Sequence, residues 1–163
     1  MLKLLYFSLI HSKLLYGIEV YANTYKTNLH DLSILNNRLL RIVLGKDRFF
    51  PISELYKIGN TFPIENLFKI RLLLFAHSRY NNDASVPNHF HNAAIANKQI
   101  HNHNTRNKND FYISLSQSIT GSKATITLPF KLWNSLPSEL KRWTSPKQFK
   151  NELMKYFRQC DNN

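Results

Sequence analysis

Between Leu128 and Lys141 the chain reads Leu-Pro-Phe-Lys-Leu-Trp-Asn-Ser-Leu-Pro-Ser-Glu-Leu-Lys, and no other stretch limits the fold as strongly. Phe130, Leu132, Trp133 and Leu136 fall within seven residues, flanked by Pro129 and Pro137. Each proline fixes φ and removes a backbone donor, which restricts the run to a short helical turn. A turn that carries so much apolar area must find a core to enter. Trp133 offers the largest surface, and its indole N–H needs an acceptor when buried. Trp133 and Phe130, with Phe149 further on, are therefore expected to be structural anchors.

The first half of the chain has helical periodicity. Residues 2 to 20 read as one helix with Leu4, Leu5, Phe7, Ile10, Leu14 and Leu15 as its apolar positions, loosened at Gly17. In the next helix Leu29, Leu32, Leu35, Leu39, Ile42 and Val43 recur at three and four; Asn28 can cap it and Gly45 stops it. A step of about 100° per residue places Arg41 nearly opposite that face and Arg38 on its flank. Both can touch phosphates, or simply be solvated. Lys46 and Arg48 extend the basic patch past the helix end. Pro51 to Ile58 reads as two turns ended by Gly59-Asn60, and a third strong helix opens at Pro63. Arg71 falls on the apolar side of that helix, where it would need Glu54 or Glu65 as a partner.

Beyond residue 80 the pattern changes. Residues 81–110 are asparagine- and histidine-rich, with a short helix available only at 91 to 100. His89, His91, His101 and His103 lack a cysteine or carboxylate to orient them, so metal binding is not expected. Arg106 and Lys108 make the end of this segment cationic, and Arg106 can grip a phosphate in bidentate fashion. Residues 111 to 128 alternate apolar and polar around Gly121, which predicts a hairpin packed on Trp133. Ser145-Pro-Lys-Gln148 resembles a capping box opening a last helix with Phe149, Leu153, Tyr156 and Phe157 inward. Lys147, Lys150, Lys155 and Arg158 are left outside. The expected organisation is a helical region over 1–80, a linker or loop over 81–110, and a hairpin, motif and C-terminal helix over 111–163.

Lys and Arg outnumber Asp and Glu by 22 to 10, and the excess is even: residues 1–80 and 81–163 each hold 11 basic and 5 acidic residues. With no basic tail to account for it, this charge favours a polyanionic partner through counterion release. Cys160 is the one cysteine in the sequence, which excludes an intrachain disulfide and a cysteine-rich zinc site. The apolar run at the N-terminus lacks a signal-peptide cleavage site, and Lys3, His11, Lys13 and Glu19 interrupt any membrane span. An intracellular location, cytoplasmic or nuclear, is expected.

Lys131-Leu-Trp-Asn-Ser-Leu-Pro137, followed eight residues later by Ser145-Pro-Lys-Gln-Phe-Lys150, resembles the C-terminal region of reverse transcriptases of non-LTR (LINE-type) retrotransposons. Leu14-Leu-Tyr-Gly-Ile-Glu-Val-Tyr21 and the leucine-rich helix after it are similar to the thumb that follows the polymerase palm. His101-Asn-His-Asn-Thr-Arg106 is similar to a polar segment that precedes the tryptophan motif. Together with the periodicities above, the resemblance gives the expected fold: mainly α, a helical thumb-like bundle followed by a small β-hairpin and C-terminal helices. It also implies that the missing palm and fingers of a parent RNA-directed DNA polymerase, with RNA, DNA or their hybrid, are the partners.

Polymerase chemistry needs paired carboxylates on Mg²⁺, which the family draws from the palm. Asp31, Asp47, Asp83, Asp110 and Asp161 are scattered here with no adjacent pair. The expectation is a transposable-element fragment that binds nucleic acid nonspecifically, with Arg38, Arg41, Lys46, Arg48, Arg106 and Lys108 as contacts, no catalytic residue and no cofactor of its own. Mg²⁺ is implied for the parent enzyme. A domesticated protein-interaction module and a relic without function stand as the alternatives.

Overall fold

The structure is a computed structural model that describes residues 1–81, 95–100, 108, 110–113 and 127–160. These residues are mainly helical. The chain divides into two units: residues 1–68 with 157–163, and residues 69–156.

The first unit begins with α1 (Leu2–Leu5), a π-helical stretch (Tyr6–His11) and α2 (Ser12–Leu15). Each residue in a π-turn bonds five positions back, so the side chains after it are rotated from where a 3.6 period would put them. The expected inward face holds at Leu14, which is buried, and at Phe7 and Ile10, which pack against the core, and is corrected at two positions. Leu4 and Leu5 are exposed, whereas Tyr6 is only 1% exposed. Gly17 adopts a left-handed φ of 63°, ending α2 and starting α3 (Ile18–Tyr21). The Tyr21 hydroxyl then reaches back to donate to the Leu14 carbonyl, one of the acceptors a helix end leaves open.

α4 (Lys26–Leu44) ends as expected: Gly45 takes φ 59°, and the Lys46 N–H bonds the Arg41 carbonyl at 2.8 Å. Its start differs. Asn28 lies inside the helix and its amide donates to Thr24 Oγ1 at 2.8 Å. α4 packs on α1 and on α5 (Ile52–Gly59), whose C-cap is Asn60 at φ 55°. Tyr6, Leu40, Leu55 and Tyr56 form the core there, with Phe7, Ile10, Val43, Leu44 and Phe50 against them.

A polar chain runs through that core. The Tyr6 hydroxyl donates to Asn36 Oδ1 at 2.8 Å, the Asn36 amide donates to Tyr56 Oη at 3.2 Å, and the Tyr56 hydroxyl donates to Asn37 Oδ1 at 2.6 Å. Each buried hydroxyl thus has a partner, which avoids the loss of about 1–3 kcal/mol an orphaned group would carry.

α6 (Ile64–Tyr80) contributes its first residues to the first unit and the rest to the second. Ile64 and Leu67 are buried in the first; Ile70, Leu72, Leu73, Ala76 and His77 are buried in the second. Arg71 is exposed, so the expected burial of that residue is corrected: which side of this nearly all-apolar helix is covered is set by its tertiary neighbours and not by its spacing. Glu65 meets Lys26 at 3.4 Å on the surface.

α7 (Asn97–Ile100), α8 (Leu128–Asn134), a 3₁₀ turn (Leu140–Arg142) and most of α9 (Pro146–Cys160) complete the second unit. Trp133 is 0% exposed, and its ring lies 5.0 Å from that of Tyr80 and 5.6 Å from that of Phe149. Phe130 packs on Phe111 at 4.6 Å, and the His77 ring stacks on Phe149 at 4.3 Å. On α9, Phe149, Leu153 and Phe157 are buried while Lys147, Lys150, Lys155 and Arg158 are exposed, the division its periodicity predicts.

The expected hairpin is not seen. Residues 114–126, which carry most of it, lie outside the described residues, and among the described residues there is no strand. Phe111 forms an isolated antiparallel bridge with Ala96 instead. Two bonds flank that bridge: the Asn97 N–H to the Asp110 carbonyl at 2.9 Å, and the Tyr112 N–H to the Ile95 carbonyl at 2.7 Å. On the other side the Asn134 side chain takes the place of a strand, accepting from the Phe111 N–H at 3.0 Å and donating to the Phe111 carbonyl at 2.8 Å. No helix among the described residues is long and apolar enough to cross a membrane.

Burial pushes the Tyr6 phenol up to about 12, reinforced by the neighbouring Tyr56 and partly offset by the Asn36 hydrogen bond. A folded-state pKa above the unfolded value of 10.0 means stability is intact below about pH 10 and falls as pH rises toward 12. Spectrophotometric phenol titration with parallel circular dichroism should show one tyrosine ionising only as the first unit melts. Tyr6→Phe should abolish its share of that alkaline loss while costing about 1 kcal/mol at neutral pH.

The buried Trp133 provides a second check. Its Nε1 finds no hydrogen-bond acceptor among the described residues. Trp133→Ala should destabilise by about 3–5 kcal/mol in urea melts. Trp133→Phe should cost at least about 1 kcal/mol less than that, because it also removes the orphaned donor.

Candidate nucleic-acid interface

The expected contacts do not share one environment. Arg38 is exposed on α4. Arg41, one turn further on, is half-buried, and its Nη2 donates to the Phe50 carbonyl at 3.1 Å. It closes the turn after α4, which is a structural task. Its Nε is buried with no hydrogen-bond partner among the described residues.

The turn that Arg41 closes is the most distinctive surface feature of the first unit. Asp47 organises it: its carboxylate accepts from the Phe49 N–H at 3.3 Å and its carbonyl accepts from the Phe50 N–H at 3.1 Å. Lys46 and Arg48 are exposed on this turn, with Lys46 Nζ 5.0 Å from the Phe50 ring centroid and the Arg48 guanidinium carbon 6.0 Å from that of Phe49. Phe49 itself is 85% exposed. Periodicity did not single it out, since it belongs to no helix. The signal that could have found it is the interleaving of bases and aromatics in Lys46-Asp-Arg-Phe-Phe50.

The residue types in this turn are ones that suit contact with a polyanion. Cations contact phosphates without regard to sequence, and an exposed ring stacks on any base, at about 1–3 kcal/mol per base. The position just past the C-terminus of α4 also favours positive charge through the helix dipole.

The remaining candidates lie elsewhere. Lys108 is exposed and belongs to the second unit. Arg106 lies outside the described residues, as do His89, His91, His101 and His103. Trp133, Phe130 and Phe149 are buried. No group of three or more His, Cys, Asp or Glu among the described residues is placed to hold a metal ion.

In the second unit the sequence reading missed two groups that organise the tryptophan motif. His77 is buried, and its Nε2 lies 2.7 Å from the Trp143 carbonyl oxygen and 3.0 Å from Asn81 Nδ2. Lys141 reaches both Asp110 Oδ1 at 3.0 Å and the Asn134 carbonyl at 3.1 Å. Only the apolar positions of these helices carry a periodic signal.

Arg38→Ala should leave the unfolding free energy within about 0.5 kcal/mol of the parent, as expected for an exposed side chain. Arg41→Ala should lower stability by about 1–2 kcal/mol by freeing the Phe50 carbonyl, and should raise hydrogen exchange at residues 46 to 50. Equal effects of the two would contradict the division of labour drawn between them.

Comparison with protein-family models, with curated proteins and with solved structures finds no match to this chain.

Proposed function

We propose that this chain is the thumb and post-thumb portion of a non-LTR retrotransposon reverse transcriptase. In this reading it binds RNA, DNA or their hybrid nonspecifically and carries no polymerase chemistry of its own. The observation that best supports it is the braced turn at the end of α4, where Lys46, Arg48 and the exposed Phe49 stand together beyond Arg38. The net charge of +12 over the whole chain supports it further. The motif resemblance supplies the parentage and the thumb-like bundle, and the apolar–polar alternation supports a hairpin over residues 111–128.

The contacts divide by role. Arg38, Lys46 and Arg48 contact phosphates, Phe49 stacks on a base, and Arg41 holds the turn. Arg106 and Lys108 add cationic reach from another part of the chain. The palm and fingers of the parent would supply the aspartates and the Mg²⁺ they hold.

Each phosphate neutralised contributes about −0.9 to the slope of log affinity against log salt on duplex. Arg38→Glu, Lys46→Glu and Arg48→Glu together should weaken binding to an RNA–DNA hybrid at least tenfold and flatten that slope by about two units or more. Phe49→Ala should weaken single-strand binding more than duplex binding. Unchanged affinity and slope in the triple variant would remove this surface from the interface, and unaided primer extension would refute the absence of chemistry.

A second reading has an observation of its own. Leu2, Leu4, Leu5 and Leu9 are all exposed on the first helical segment, more apolar surface than a solvated helix needs. A protein-interaction module would use that face. Binding to a protein partner that is insensitive to salt and lost in Leu5→Glu with Leu9→Glu would favour it over nucleic-acid binding.

A further inference from the structure

The first unit holds a cleft of about 510 Å³, formed by one side of α5, the segment after it and Arg158. That volume suits a small molecule, for which sites run from about 300 to 1,000 Å³. Ile52, Tyr56 and Phe62 form apolar walls, Ser53 adds a hydroxyl, and Lys57 and Arg158 add two cations; among the described residues no carboxylate lines it.

Arg158 is held in place here. Its guanidinium carbon lies 5.5 Å from the Phe62 ring centroid, and its Nη2 donates to Asn60 Oδ1. Asn60 is in turn fixed as the left-handed cap of α5, with its N–H on the Lys57 carbonyl at 3.1 Å. The helix that carries Lys57 therefore also sets where Arg158 stands. One further polar atom sits in the wall: Thr61 Oγ1 is buried and has no hydrogen-bond partner among the described residues.

This chemistry selects its ligand. Two cations without a carboxylate call for a dianion, which a phosphate monoester supplies better than a carboxylate does. Walls that include two aromatic rings call for a flat body, which a nucleobase supplies and a sugar phosphate does not. We propose that the cleft binds one nucleoside monophosphate, its base against Ile52, Tyr56 and Phe62 and its phosphate on Lys57 and Arg158. Its residues are separate from Arg38, Lys46, Arg48 and Phe49, so the assignment does not rest on the interface described above.

Titration calorimetry of the intact chain with AMP tests it. The expected result is saturable binding of one AMP per chain, at least tenfold tighter than adenosine or decanoate. Lys57→Gln with Arg158→Gln should lower AMP affinity at least tenfold with the circular dichroism spectrum retained. Should that pair unfold, Lys57→Gln alone is expected to lower it at least threefold. The Arg38→Glu, Lys46→Glu, Arg48→Glu variant should keep its AMP affinity within twofold even as it loses the hybrid, which separates the two assignments. Displacement of AMP by a 5′-phosphorylated tetranucleotide but not by its 5′-hydroxyl form identifies a strand end as the natural source, and displacement by neither identifies the free nucleotide. No saturable AMP binding at millimolar concentration, equal affinity for adenosine or decanoate, AMP affinity that survives the glutamine substitutions, or equal displacement by both tetranucleotides overturns the proposal.

Discussion

The burial of Trp133 is the constraint from which the second unit follows. One indole, surrounded by Tyr80, His77, Phe149 and Phe111, draws residues from α6, α8, α9 and the 110–113 segment to a single point. The cost is an indole N–H without an acceptor among the described residues, of order 1–3 kcal/mol, which the burial of so large a side chain outweighs. Neighbouring residues of the motif then take complementary tasks: Asn134 binds the Phe111 backbone, and Ser135 Oγ closes the turn by donating to the Leu132 carbonyl at 2.8 Å.

The first unit solves its core differently. It sets two tyrosines and an asparagine among leucines and lets them satisfy one another through Asn36. Such a chain constrains register more than it adds stability, because a shift of one residue along α4 would leave several donors and acceptors unpaired in a region of low dielectric. Tyr6 joins that chain from the first residue of the π-helical stretch.

Helix existence and most helix ends were legible, because periodicity and glycine stops act locally: Gly45, Gly59-Asn60 and the inward face of α9 are where pattern alone puts them. Three things were not. At the start of the first helical segment Tyr6 takes the core position expected of Leu4 and Leu5, because its hydroxyl finds a buried partner in Asn36 that no hydropathy period encodes. Arg41 and Arg71 exchanged expected environments, since the arginine that closes a turn and the one that faces solvent differ only in tertiary surroundings. Phe49 belongs to no periodic segment, and the bracing of its turn by Asp47 and Arg41 explains why it stays outside.

The pairing around Phe111 has a last consequence. A short extended segment normally presents one unpaired row of amides to which another chain can add a strand. Here the row on one side is occupied by residues 95–97 and the other at Phe111 by a carboxamide, which mimics a peptide group but cannot be extended. A side chain that imitates a strand and then stops is a terminator for β-addition at that position, supplied by the same helix that seats the tryptophan.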